Sequence, residues 1–331
     1  MQNHIVVKTP LRVSLLGGGA DFKAFIKEKP RYVLGMGINY YIHMNAYLMP
    51  GIFQSKNRFQ YSQTEEFEDP KDIKHPVIRN VILKYGLSKN INASIASDMP
   101  SGCGLGSSSA FTCGMVNLIN SFNGEMLSSE ELAYETIHIE QNILKENVGI
   151  QDQILCSLGG INLIKLTSES FNTIISREIN FLLHEKLKKR SFLVFTGITR
   201  ESSKSQDKSD LNPNKENLTN LISEIAENFA KNYSKENDIW SFLKECVKES
   251  WKLKKQFALN KNKSDILELS EKCLESGAEF IKLLGAGDGG FIFCSVPENK
   301  QEKFIKMFDK NTVFKIKPSL FGSQIQNIYY S

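Results

Sequence analysis

The sequence predicts a mixed α/β protein of two domains, on three observations. At 331 residues the chain exceeds the length at which a single hydrophobic core usually stops growing. Segments rich in β-branched residues alternate with segments of helical spacing along its whole length. A lysine-rich junction at 186–190, K-L-K-K-R, marks a shift in composition and sets the expected division at 1–188 and 189–331.

The elements follow in order. Residues 4–16, H-I-V-V-K-T-P-L-R-V-S-L-L, read as a strand kinked at Pro10 and ending in the turn Gly17, Gly18, Gly19. Strands continue at 38–48 and 58–61, and 77–87 has helical spacing with Gly86 where a helix ends. The alternating stretch 91–97 is a strand, and a glycine-serine loop joins it to a helix beginning near Ala110. A second helix is expected over 129–146, introduced by Ser128 and Glu131 at capping-box spacing. After a strand entry at 158–166 and a strand at 191–197, a long polar segment leads to helices near 216–232, 237–258 and 263–278. A strand pair around a glycine turn at 285–290, a short helix and a strand at 313–318 close the chain.

Composition narrows the function classes. Hydrophobic residues at 41% and charged residues at 24% describe an ordinary globular protein. The net charge of +4 comes from 41 basic and 37 acidic residues dispersed without a polybasic block, which argues against nucleic acid as a partner. Six cysteines without a CxxC pair indicate free thiols in a reducing compartment, and five scattered histidines offer no metal spacing. With no run of eighteen apolar residues and no signal-peptide pattern, the expectation is a cytoplasmic protein without membrane association.

The chemistry concentrates in residues 100–111, P-S-G-C-G-L-G-S-S-S-A-F. Gly102, Gly104 and Gly106 allow successive backbone N–H groups to converge, and a following helix adds the positive end of its dipole, so the loop suits a phosphate. Glycines alone leave a flexible turn equally open; the serines at the helix entry favour an anion or metal site. The loop is not the G-x-S-x-G of a nucleophile elbow, the G-x-G-x-x-G of a dinucleotide fold or a G-K-[ST] phosphate loop. Glu140 falls on a stripe with Ala133, Ile137 and Leu144, where a carboxylate is either buried with a partner or solvated at the stripe's edge.

Residues 100–108 resemble the central motif of the GHMP kinases, P-x-x-x-G-L-G-S-S, position for position. P-L-R-V-S-L-L-G-G-G-A-D at 10–21 is similar to the first motif of that superfamily, and K-L-L-G-A-G-D-G-G-F at 282–291 to its third. The triple glycine with Asp21 looks most like the branch acting on D-glycero-D-manno-heptose 7-phosphate. The resemblance implies an α+β fold with a ribosomal-protein-S5-like N-terminal domain and a ferredoxin-like C-terminal domain, binding ATP and Mg²⁺. It implies that Pro100, Ser101, Gly102, Cys103, Gly104, Leu105, Gly106, Ser107, Ser108 and Ser109 surround ATP, with Ser108 and Glu140 holding the metal. Asp152 becomes the catalytic base and Arg12 its partner at the acceptor oxygen. Gly17, Gly18, Gly19, Asp21, Arg200, Gly285 and Gly287 become the sugar-binding set. For the acceptor's own phosphate, Lys8, Arg31 and Arg200 are the candidate cations.

Two positions depart from the pattern: Asp288 replaces a glycine of the third motif, and Ala20 stands where the branch has threonine. The implied activity is phosphorylation of the anomeric hydroxyl of the heptose phosphate to the 1,7-bisphosphate, for nucleotide-activated heptose used in surface polysaccharide. A fucokinase- or galactokinase-like enzyme and a non-catalytic sugar-phosphate sensor are the alternatives. The partners expected are the sugar phosphate and ATP, and a homodimer is compatible with all of this.

Overall fold

The computed structural model describes residues 2–49, 57–87, 90–198, 215–257, 263–285 and 289–330. Its larger sheet begins with β1 (Gln2–Leu16), which pairs antiparallel with the long β2 (Arg31–Leu48) across a short helix α1 (Lys23–Glu28). Beyond β2 lie β5 (Ile91–Ser97), β3 (Asn57–Gln60) and β4 (Thr64–Phe67). The other end of β2 pairs with β6 (Ile161–Leu166), which carries β7 (Phe171–Thr173). The strand predicted to kink at Pro10 runs on unbroken; the register slips between Pro10 and Arg12 and again between Ser14 and Leu16. Those irregularities turn β1 side chains towards the site.

Behind the sheet, α3 (Ser107–Phe122) is buried along most of its length, because Cys113, Met115, Val116, Leu118 and Ile119 pack in the core. It is flanked by α2 (Pro76–Tyr85), α4 (Ser129–Ile137) and α5 (Gln151–Leu158). The capping box forms as read: Glu131 N donates to Ser128 Oγ at 3.2 Å and Ser128 N to Glu131 Oε2 at 2.8 Å. The predicted helix over 129–146 is regular only to Ile137; residues His138–Ile143 form a wider π turn. Such a turn inserts one residue per turn and is often found at functional sites.

The helix α6 (Arg177–Arg190) runs directly into β8 (Ser191–Phe195), the start of a second, antiparallel sheet ordered β11 (Val313–Lys315), β8, β10 (Phe291–Ser295), β9 (Phe280–Leu283). Three helices, α7 (Lys215–Asn232), α8 (Ile239–Phe257) and α9 (Lys263–Glu275), lie where the periodicity put them, and α10 (Gln301–Lys306) follows β10.

The expected division at 188/189 lies between the two sheets in sequence. It falls inside α6, and the last strand, β12 (Gln324–Tyr330), returns to pair with β1. One apolar core is shared by both parts, with Leu105, Leu118, Phe229, Leu243, Phe280 and Phe293 in the same cluster. All six cysteines are buried free thiols, and among the described residues no helix is long and apolar enough to cross a membrane.

Candidate active site

Three loops converge at the end of β1. The loop at 100–106 alternates: Cys103 and Leu105 are buried anchors, whereas Ser101, Gly102, Gly104 and Gly106 reach the surface. Cys103 and Leu105 therefore offer a ligand only their backbone. Gly106, with φ 71°, starts α3 and accepts the first helical bond from Ala110 N at 2.9 Å. A Cβ at Gly106 would lie 2.8 Å from Arg12 Cγ, and one at Gly104 2.9 Å from Leu284 O. The third loop presses on the second in return, since a Cβ at Gly285 would lie 2.8 Å from the Gly104 Cα. Gly104→Ala is accordingly expected to cost about 2 kcal/mol or more through its positive φ and the clash. A lowered melting temperature together with a raised KM for ATP is the readout.

Arg12 is 6% exposed and leaves no donor group idle on the site side. Its Nε donates to Asp152 Oδ1 at 2.7 Å, its Nη2 to Asp152 Oδ2 at 2.5 Å and its Nη1 to Gly104 O at 2.6 Å. The fork thus fixes the carboxylate in one plane and ties it to the phosphate-type loop. Burial acts to lower the Arg12 pKa, but the Asp152 carboxylate outweighs it and the net direction is upward. Asp152 itself lies in the first turn of α5, and its side chain is 25% exposed, open to a reactant where Arg12 is closed.

Asp21 lies directly behind Asp152. It accepts from Gly19 N at 2.9 Å and Gln151 Nε2 at 3.2 Å through Oδ1, and from Gln151 N at 3.1 Å through Oδ2. At 1% exposure it clamps the first glycine turn to the start of α5. Burial and then the Asp152 charge raise its pKa, against the opposing backbone N–H groups.

Glu140 sits in the π turn at 1% exposure. Ser109 Oγ donates to its Oε2 at 3.0 Å and Gln153 Nε2 to the same oxygen at 2.5 Å, while Oε1 has no partner among the described residues. Burial pushes its pKa up to about 7, with the side-chain hydrogen bonds, those of Gln153 and Ser109 among them, pulling the other way. An orphaned, buried carboxylate oxygen beside a phosphate-type loop fits a hard divalent cation. The serine brought to Glu140 is Ser109; Ser108, the expected metal ligand, is exposed, and Ser107 is half-buried.

Other expected residues separate. Gly17 has φ 76° in the turn between β1 and α1, with Gly18 and Gly19 beside it, and a Cβ at Gly18 would touch Ser14 Oγ and Gln151. Pro100 is exposed at the loop's entrance. Arg200, Gly287 and Asp288 lie outside the described residues. Arg31 is corrected as an acceptor-phosphate cation: it is 1% exposed, and Phe25 O, Asn220 Oδ1 and Glu28 Oε2 take up its guanidinium. Lys8 stands 3.8 Å over the Tyr41 ring, beside a pocket of about 200 Å³ that Lys317 and Ser319 also line. It lies four residues before Arg12 on β1, about 13 Å along the strand.

Sequence reasoning missed Gln151 and Gln153, which orient the two carboxylates, and Lys282, a buried lysine in β9. The signal for Lys282 was a lone charge in the otherwise apolar F-I-K-L-L run.

Residues 73–160, which carry the central loop, Glu140 and Asp152, match the GHMP kinases N terminal domain. The chain carries a GHMP kinase domain. Over 318 residues it is 28% identical to a D-glycero-alpha-D-manno-heptose 7-phosphate kinase of Campylobacter jejuni, covering 92% of this chain and 93% of that one. A galactokinase of Pyrococcus furiosus is 23% identical over 96% of this chain and 98% of its own length. Among solved structures, a D-glycero-D-manno-heptose 1-phosphate kinase from Bacteriodes thetaiotaomicron superposes with a TM-score of 0.76 at 20% identity, over 98% of this chain and 100% of that one. The chain accordingly has an α+β fold like that of the GHMP kinases and is a phosphotransferase with an alcohol acceptor.

Proposed function

We propose that the chain transfers the γ-phosphoryl group of ATP to the anomeric hydroxyl of D-glycero-D-manno-heptose 7-phosphate, forming the 1,7-bisphosphate and ADP. The observation that carries this reading is the Arg12–Asp152 fork bonded to Gly104 O, which sets a carboxylate between an anion-type loop and a glycine turn. Similarity to the Campylobacter enzyme over nine-tenths of both chains supports this choice of sugar.

Phosphoryl transfer asks a protein chiefly to position two reactants and to neutralise charge. Asp152 accepts the proton of the acceptor hydroxyl, whose oxygen bonds to the γ-phosphorus as the bond to the β-phosphate bridging oxygen breaks and ADP departs. Arg12 holds Asp152 in the plane that this transfer requires. The N–H groups of the loop and the positive end of α3 receive the phosphate oxygens. Near the start of α3 three half-buried rings form a cluster: Tyr61 meets His75 edge-on, and His75 stacks on Phe111. Mg²⁺, when bound, supplies charge neutralisation at the phosphates, and Glu140 with the hydroxyls of Ser108 or Ser109 would hold it.

A second reading has its own observation. Neither Arg31 nor Lys8 serves the Arg12–Asp152 cleft, so among those two no cation is in place for a 7-phosphate. With Arg200 outside the described residues, an unphosphorylated sugar, as in the galactokinase relative, is the alternative. A coupled ADP-release assay over heptose 7-phosphate, heptose 1-phosphate, fucose, galactose and mannose decides. The expected result is a kcat/KM for heptose 7-phosphate at least about tenfold above the others, in keeping with loss of a charge-assisted contact. Equal turnover of galactose or fucose would reject it.

A further inference from the structure

Lys282 is an ionisable side chain that the reaction above does not use. It lies on β9 of the smaller sheet at 4% exposure, and its Nζ donates to Leu15 O at 2.8 Å, on β1 of the larger sheet. Leu15 is the extra residue of a bulge: Ser14 pairs with Gly35 and Leu16 with Leu34. A bulge leaves one peptide group out of the ladder, and Lys282 takes up the carbonyl so released. Two residues later the chain enters the turn at Gly17. Burial, then the charges of Lys254 and Arg12, hold the Lys282 pKa well below the usual lysine range, with Asp21 opposing them. A buried amine is costly, and a methionine would fill the space without that cost.

The same short strand touches the nucleotide side. Leu284 O and Gly285, just past β9, lie against Gly104 at a separation that admits no Cβ, and Lys254 Nζ donates to Leu283 O and Gly285 O at 2.9 Å. We propose that Lys282 is a positioning residue that couples the phosphate-type loop to the acceptor turn: a shift of the loop on binding nucleotide moves β9, and Lys282 transmits it through Leu15 O to Gly17–Gly19. The inference rests on the loop at 100–106 being the ATP site, and not on the identity of the sugar.

Hydrogen exchange on the full chain, with and without a non-hydrolysable ATP analogue and Mg²⁺, tests it. In the wild type the analogue should slow exchange severalfold both in a peptide spanning 100–110 and in one spanning 14–22. In K282M, protection of 100–110 should persist and the nucleotide-dependent change in 14–22 should vanish. A purely structural lysine would alter the resting exchange of the turn in K282M yet leave that difference intact, and this result overturns the coupling. So does a wild-type turn indifferent to nucleotide. Should K282M fail to fold, K282Q, too short to span the gap, is read in the same way. Absence of protection at 100–110 in the wild type would instead remove the ATP site, and the coupling with it. A failed sugar panel touches neither result.

Discussion

Asp152→Asn is expected to lower kcat about 10³-fold or more while the affinity for an ATP analogue stays within about threefold. The substitution keeps the side chain's size and removes its ability to take a proton. It also sets an amide NH₂ group against the Arg12 fork, where both carboxylate oxygens now accept. Arg12 is then a buried cation with half its partner gone, a change that costs about 3 kcal/mol in comparable buried pairs, so a drop in melting temperature should accompany the loss of turnover. Arg12→Met separates the two effects. It leaves the carboxylate but frees it from Gly104 O, and should lower kcat by about 10²-fold through misorientation alone. Steady-state turnover beside calorimetric titration of the analogue provides both numbers. Asp152→Asn turning over at a wild-type rate would remove Asp152 from proton transfer.

The order in which these features emerge from the sequence follows the range of the interactions behind them. The capping box of α4, the C-terminal glycine of α2 and the amphipathic α7, α8 and α9 rest on contacts within four residues, and each is legible from spacing. Strand β12 went unread although Q-I-Q-N-I-Y-Y carries two isoleucines and two tyrosines, because the partner that makes it a strand, β1, lies more than three hundred residues earlier. The three consecutive serines illustrate the same limit within the site. On a helix they point some 100° apart, so which one meets a carboxylate depends on where Glu140 lies, and the π turn settled that in favour of Ser109. The stripe left Glu140 open between an inward-facing and a solvated edge position, and the structure buries it; Arg31 misled, since an arginine at a strand entry gives no sign that Asn220 and Glu28 will enclose it.

Glu140→Gln should flatten the pH dependence of stability in the metal-free protein. With a folded pKa of about 7 against 4.5 for the free side chain, the folded state binds more protons than the unfolded chain throughout that window. Stability therefore falls as pH rises from about 4.5 to 7 and stays low above it, by about 3 kcal/mol when 1.36 kcal/mol is counted per unit. Asp21, whose pKa is also raised, adds a slope of the same sign, so the variant is needed to isolate Glu140. In EDTA at pH 8 the glutamine variant, carrying no charge to bury, should melt above the wild type, and the two should converge near pH 5. A divalent cation at the orphaned Oε1 would compensate the buried charge. Mg²⁺ should then raise the wild-type melting temperature more at pH 8 than at pH 5.5 and should not affect Glu140→Gln at either. Activity should fall about 10²-fold in the variant despite its greater stability, the trade expected where a strained charge is retained for function. A variant that melts lower than the wild type at pH 8 and still responds to Mg²⁺ would show Glu140 to be a structural hydrogen-bond acceptor for Ser109 and Gln153 alone.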